Sequence, residues 1–432
     1  MELCRNSRKL QRDWTGSDRE EELSLPDLQP HYEKEFRCIG PECEDLCCRT
    51  WNVYFDKATY EKYQAISQLR SVAEQHLVRI QDAVTDSRYA QLVFPAPSHT
   101  CPFLTTERWC SVHRDFGPAY LSPICHSYPR VQEPLNGMTA KPLHLSCPEA
   151  ARLVLFQKNL VPVERNDADD RPRYQRFLRM ADQSAKTNGN PQKHYSDVQT
   201  FSLLLIHDRA YPLWQRLFLL GMFSRRISEV FTANDWAYLP GLLAEFAEIV
   251  KLNRLGASME GIPVQTAAQL AAVVEVAHRL QNRNTWFVRM QECIQDFIRG
   301  IRYDANLPME AMAPAYAEAH DRYYRPFVEQ HPSIMENYLS NYIFRTQFPR
   351  GPIPPGEPNT PLTSYFLMCL QYAMIKGLLI GMAGHYREQF GAEHVVKLVQ
   401  SFSKMVEHSS EFLRGLKLDL ASPSGMALLL KN

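Results

Sequence analysis

The chain has 432 residues, 45% of them hydrophobic, and its 48 basic residues balance 48 acidic ones. That is apolar material for a sizeable core and length for two or three domains. A formal charge of zero argues against non-specific binding of nucleic acid, which depends on neutralising phosphates.

Residues 1–30 are polar and charged and end in Pro26 and Pro30, which reads as a mobile leader. They contain no apolar core and no small-residue cleavage site, so they are not a secretory signal. Residues 31–155 carry eight of the eleven cysteines: Cys38, Cys43, Cys47, Cys48, Cys101, Cys110, Cys125 and Cys147. Prolines are frequent there, which predicts a loop-rich domain stapled by metal. One helix is expected inside it, capped by Asp56 and running through Tyr60, Tyr63, Ile66 and Leu69 to about Val84.

Residues 156–199, with the turn-rich stretches NDADDRPR and AKTNGNPQK, form a linker. From 200 to 432 the pattern becomes helical. Apolar residues recur at helical spacing in 211–223, 240–253 and 394–408, and 266–280 is alanine-rich. No run of alternating strands stands out. The fold class is therefore mainly α: a cysteine-rich, loop-rich metal-binding domain followed by an all-helical domain. The segment 349–361 is too rich in proline for a helix or a central strand. The most apolar run, 368–384, is broken by Gln371 and Lys376 and reads as a buried helix, not a membrane span. Its glycines Gly377, Gly381 and Gly384 suit close helix packing. Together these features imply a cytoplasmic protein with no membrane partner.

Reduced thiols in that compartment favour metal ligands over four disulfides. Thiolates are soft ligands and suit zinc or iron–sulfur centres. In CIGPECEDLCC, one helical turn would bring Cys43 and Cys47 to the same side. Cys47 and Cys48 are adjacent, so without a sharp backbone turn one of them faces elsewhere. A zinc ribbon expects paired C-x2-C knuckles, and none exists, which tilts the balance towards iron–sulfur. His113 and His126 lie in the region but are surplus to eight thiols. Cys293 and Cys369 sit in apolar helical surroundings and read as packed thiols. No glycine-rich nucleotide loop, H-E-x-x-H or G-x-S-x-G pattern is present.

Four cysteine blocks carry a family likeness: residues 36–63, CPFLTTERWC (101–110), CHSYPR (125–130) and LSCPEAARLVL (145–155). With YPLWQRLFLLG (211–221) and ENYLSNYIFRTQFP (336–349), they resemble the flagellin lysine-N-methylase family over roughly 32–420. The first block also resembles a wider eight-cysteine family described as zinc- or iron-chelating. The resemblance implies transfer of a methyl group from S-adenosylmethionine to surface lysines of flagellin. It also implies a 4Fe-4S cluster held by some of the eight cysteines, with zinc as the alternative metal. Tyr128 and Arg130, beside Cys125, are the candidate catalytic residues lining the acceptor pocket; Asn341 and Tyr342 are weaker candidates. Two rival readings remain: a non-enzymatic zinc or iron–sulfur module that binds a flagellar partner, and a redox or iron-handling protein.

Overall fold

The computed structural model describes residues 32–49, 53–81, 85–96, 99–131, 141–158, 160, 191–283, 287–351, 358–407 and 430–431. The expected leader lies outside these residues, as do most of the linker and the centre of the proline-rich segment. The described chain is mainly helical.

The cysteine region is built from short pieces. Helix α1 (Tyr32–Glu35) leads into a loop, and β1 (Val53–Phe55) into α2 (Lys57–Ala65) and α3 (Ser67–His76). Strands β2 (Leu77–Arg79) and β3 (Ala90–Leu92) complete an antiparallel sheet of order β1-β3-β2. Asp56 caps α2 as expected, its carboxylate accepting from the Thr59 N–H at 2.7 Å. The single helix expected to run to about Val84 is instead two helices and a strand. The break is at Ile66, which takes an extended conformation, and the chain is extended again at Leu77. Leu77 pairs with Leu92, so a β-ladder replaces the last helical turns. Helices α4 (Ser111–Phe116), α5 (Pro123–Ser127) and α6 (Pro148–Leu155) follow. Cys147 occupies the N-cap of α6 with Pro148 in its first turn, where a missing N–H costs nothing.

The helical part contains α7 (Pro191–Ile206), α8 (Leu213–Ala233), α9 (Leu239–Lys251), α10 (Gly256–Glu260) and α11 (Thr266–Arg283). It continues with α12 (Val288–Gly300), α13 (Met309–Ala319), α14 (Arg325–Gln330), α15 (Ser333–Arg345), α16 (Pro361–Tyr386) and α17 (Ala392–Phe402). A π-helical turn, Ser403–Glu407, extends α17. The central element is α16. It is apolar on every side, as a helix surrounded by others must be. It is long and apolar enough to cross a membrane, yet 89% of its most apolar window is buried inside the protein. Glycines let its neighbour come close: a Cβ on Gly300 of α12 would lie 1.7 Å from the Gly381 carbonyl oxygen. A Cβ on Gly377 would meet Val273 at 2.3 Å, so these glycines serve packing, as expected.

Two cores form. The small one gathers Val53, Phe55, Tyr63, Leu69, Ala73, Leu77, Ala90, Leu92, Phe103 and Val112. Tyr63 is its pivot, edge-on to Phe55 and Phe103 at 5.1 and 5.5 Å. The large core belongs to the helices, but two stretches of the cysteine region join it: Tyr32 with Phe36, and Leu143 through Leu155. Cys293 and Cys369 are buried there, in line with their reading as packed thiols.

Candidate metal centre

A cavity of about 950 Å³ opens where the two cores meet. All eight cysteines of the 38–147 region line it. Its apolar wall comes from both cores, Val53, Phe55, Tyr63, Phe94 and Phe103 on one side and Phe36 on the other, with Leu46 of the first cysteine loop completing it. Cys101 and Cys110 pack against the small core, and Cys147 against the large one.

Local geometry explains how distant thiols meet. The first loop turns at Gly40, whose positive φ of 58° leads the 3-10 turn Gly40–Glu42 into Cys43. A side chain at Gly40 would strike the Trp109 ring, 2.9 Å from an ideal Cβ, so the 101–110 loop rests on this turn. Arg108, also at positive φ, donates to the Cys43 carbonyl at 2.5 Å. The Cys101 N–H donates to the Cys48 carbonyl at 2.9 Å, joining the two loops by backbone. Within 101–110, Leu104 bridges Cys110 in antiparallel fashion, bringing the ends of that loop together.

Residues 43–48 are not helical, so Cys43 and Cys47 do not share a helical turn. The chain turns at Cys47–Cys48, and both side chains reach the same cavity, with their sulfurs hydrogen-bonded to each other. Adjacent cysteines therefore face one space, not two.

Cys147 is placed by α15, the helix that contains the block ENYLSNYIFR. Asn337 donates to the carbonyls of Leu155 and Gln157 at 3.0 and 2.7 Å. Asn341 donates to the Leu143 carbonyl at 3.1 Å and accepts from the Tyr32 hydroxyl. Glu336, almost wholly buried, pairs with Arg216 at 2.8 Å and Arg209 at 2.6 Å. Unpaired polar groups this deep would be costly, and here each has a partner. Asn341 and Tyr342 lie outside the cavity wall: Asn341 clamps the 143–157 stretch, and Tyr342 accepts from Gln371 at 3.3 Å in the core.

Tyr128 and Arg130 do line the cavity, together with His113 and His126. The Tyr128 hydroxyl lies 3.0 Å from that of Ser146, and burial pushes its pKa well above the ordinary phenol value. Arg130 is held in place: its Nε donates to Glu33 at 2.6 Å and its guanidinium covers the Phe36 ring at 5.1 Å. His126 Nδ1 lies 3.0 Å from the Pro118 carbonyl oxygen.

None of the ten described cysteines is in a disulfide. Burial is the main reason that the Cys43 thiol is pushed up to about 11 and those of Cys101 and Cys147 to about 12; repulsion from neighbouring thiolates adds to it. Cys48 donates to Cys47, which holds Cys47 below the usual thiol value and drives Cys48 far above it. Burial thus keeps most of these thiols protonated, and metal binding to such a group would proceed by displacing protons. Among the described residues, no three Cys, His, Asp or Glu side chains converge as a ready-made ion site. The thiols are instead distributed around the cavity wall. Eight soft donors with apolar walls fit a thiolate-held centre.

Fold and site together define a class: a helical protein that encloses a thiol-lined cavity between two cores. Residues 199–428 match the FliB lysine N-methylase C-terminal domain, and the chain belongs to that family. It is 23% identical over 398 residues to the lysine-N-methylases of Salmonella typhimurium (strain LT2) and Salmonella choleraesuis (strain SC-B67). That alignment covers 89% of this chain and 92% of each relative. The flagellar biosynthetic protein FliU of Salmonella muenchen is 30% identical over 129 residues, 29% of this chain and 75% of that protein. No solved structure matches this chain. The family resemblance carried by the cysteine and helix blocks is borne out.

Sequence reasoning missed three features of the site: Asp45 in the first cysteine loop, Ser146 beside Cys147, and Gln400 of α17 between them. Gln400 donates to the Asp45 carboxylate at 2.7 Å and to the Ser146 carbonyl at 3.1 Å. These pairs are separated by 355 and 254 positions, and no local pattern announces them.

Proposed function

We propose that the chain is a protein-lysine N-methyltransferase that moves a methyl group from S-adenosylmethionine to lysines of flagellin, in the cytoplasm, with a 4Fe-4S cluster in the thiol cavity. One observation carries the reading: all eight cysteines of a lysine N-methylase family member line a single cavity. The names of the two lysine-N-methylases and of the flagellar biosynthetic protein FliU support the reaction and the acceptor class.

Cys38, Cys43, Cys47, Cys48, Cys101, Cys110, Cys125 and Cys147 are the residues that would hold the cluster. When bound, it would supply Lewis-acidic iron to help hold the donor. The chain's own residues do the rest. The wall of Phe55, Tyr63, Phe94 and Phe103 excludes water around an incoming lysine. Desolvation lowers the amine pKa from its usual value of about 10.4, so that a lone pair is available. Tyr128 and Arg130 are polar members of the wall, each already fixed by a neighbour, so they orient groups without moving. Alignment of the donor methyl with that nitrogen at near-attack distance supplies several kcal/mol of the barrier.

The test is direct. Protein purified without oxygen is assayed for iron and sulfide, then incubated with flagellin and methyl-labelled S-adenosylmethionine. Label should appear on flagellin lysines. Iron present with lysines unlabelled overturns the enzyme reading; absence of iron overturns the cluster.

A further inference from the structure

The helical body reaches into the cysteine loop at one charged point. Lys404 Nζ lies 2.8 Å from the Asp45 carboxylate, and both side chains are largely buried, at 8% and 19% exposure. Asp45 lies in the cavity wall, two residues after Cys43 and two before Cys47. The charge of Lys404 also acts on Cys47. The contact is built, not incidental. Gln400, one helical turn earlier, donates to the same carboxylate oxygen at 2.7 Å, and its own carbonyl accepts from Arg289 at 3.1 Å. Lys404 belongs to the π-turn Ser403–Glu407, and that turn is pinned from inside. Glu407 pairs with Arg345 at 3.1 Å, both of them buried, and accepts from the Ser403 hydroxyl. A π-turn shifts the following side chains around the helix axis, and such turns cluster at functional sites.

We propose that Lys404 is the fixed counter-charge of the thiolate centre: with Gln400 it holds Asp45 so that Cys43 and Cys47 face the cavity, and it offsets their negative charge there. The inference rests on the thiolate-centre reading above. Several thiolates on one metal centre carry net negative charge, and a buried ammonium beside them is screened little by solvent. Asp45 then acts in two ways, as the anchor for Lys404 and as a partial brake on its field. Lys404 is a positioning residue and touches no reacting atom.

The test compares Lys404→Met, Lys404→Arg and Asp45→Asn with the parent, all loaded with metal without oxygen. Iron and sulfide content, circular dichroism and the midpoint potential of the cluster are measured. Lys404→Met removes a positive charge, so the extra electron is held less well and the potential falls; Lys404→Arg restores it. Asp45→Asn leaves the positive charge unopposed, so the potential rises. Opposite shifts from the two sides of one ion pair are a signature that loss of a structural bolt does not give. Unchanged potentials, or shifts of the same sign, overturn the proposal. If Lys404→Met fails to fold, Lys404→Gln and Asp45→Asn decide it by the same opposition. If the parent holds zinc, the cluster reading fails by itself, and the same variants are read by the rate at which a chelator strips the metal. Lys404→Met should then be several-fold faster than the parent and Asp45→Asn slower. A parent that takes up no metal overturns both.

Discussion

The cysteine head and the helical body solve the stability problem differently. The body buries long amphipathic and all-apolar helices around α16, and their packing is the main source of its order. The head has three-residue strands, helices of ten residues or fewer, and a core of ten buried side chains. So little apolar surface gives a marginal unit. The difference teaches where a bound centre would matter: on the proposed reading it would add folding energy to the head and little to the body.

The sharpest way to break this comparison is to strip the metal. Chelation should abolish methyl transfer and open the head to proteases within residues 38–131, while the helical signal of the body survives in circular dichroism. Loss of both together would mean that the two regions share one stability. Next comes a pair of conservative changes. Cys47→Ser should remove most of the bound metal and the transfer activity, whereas Cys369→Ser, deep in the body, should leave metal content unchanged. Equal damage from the two would show that the cysteines are grouped wrongly.

In the body, Gly300→Ala drives a methyl into the Gly381 carbonyl and should cost about 3 kcal/mol, read as a lower denaturant midpoint with the metal centre retained. The head offers a pH test instead. In metal-free protein burial pushes the Cys101 and Cys147 thiols up from 9.0 to about 12. The raised values contribute stability that is complete below pH 9 and is lost as the pH climbs towards 12, so melting temperature should fall across about pH 9 to 11. The metal-loaded head, its thiolates already deprotonated, should show a flatter profile. The smallest effect is expected from Asp56→Ala, which removes the cap of α2 and should cost about 1 kcal/mol by thermal melting.

The helices of the body were legible because periodicity and apolar content are local signals. The alanine-rich stretch 266–280 lies in α11, and 394–408 covers most of α17 with its π-turn. The cysteine grouping was legible because thiols are rare. What sequence could not give was the handling of the loops. Cys47 and Cys48 were expected to diverge, because neighbours do so in regular structure, yet a turn sends both inward. The helix expected past His76 lost to pairing between Leu77 and Leu92, a contact that no helical period encodes. The clamp of Asn337 and Asn341 on the Cys147 segment spans 180 to 198 positions; here buried amides in a helix were the available sign, without showing what they hold.

The ion pair between Asp45 and Lys404 joins positions 359 apart, so it has a consequence for biosynthesis. The loop with Cys43 and Cys47 leaves the ribosome roughly half a minute before its lysine does, at ordinary rates of elongation. Through that interval its sulfurs have no body to close against. If the centre is a metal one, as proposed, its delivery would have to guard these thiols on the nascent chain or wait until translation has all but finished.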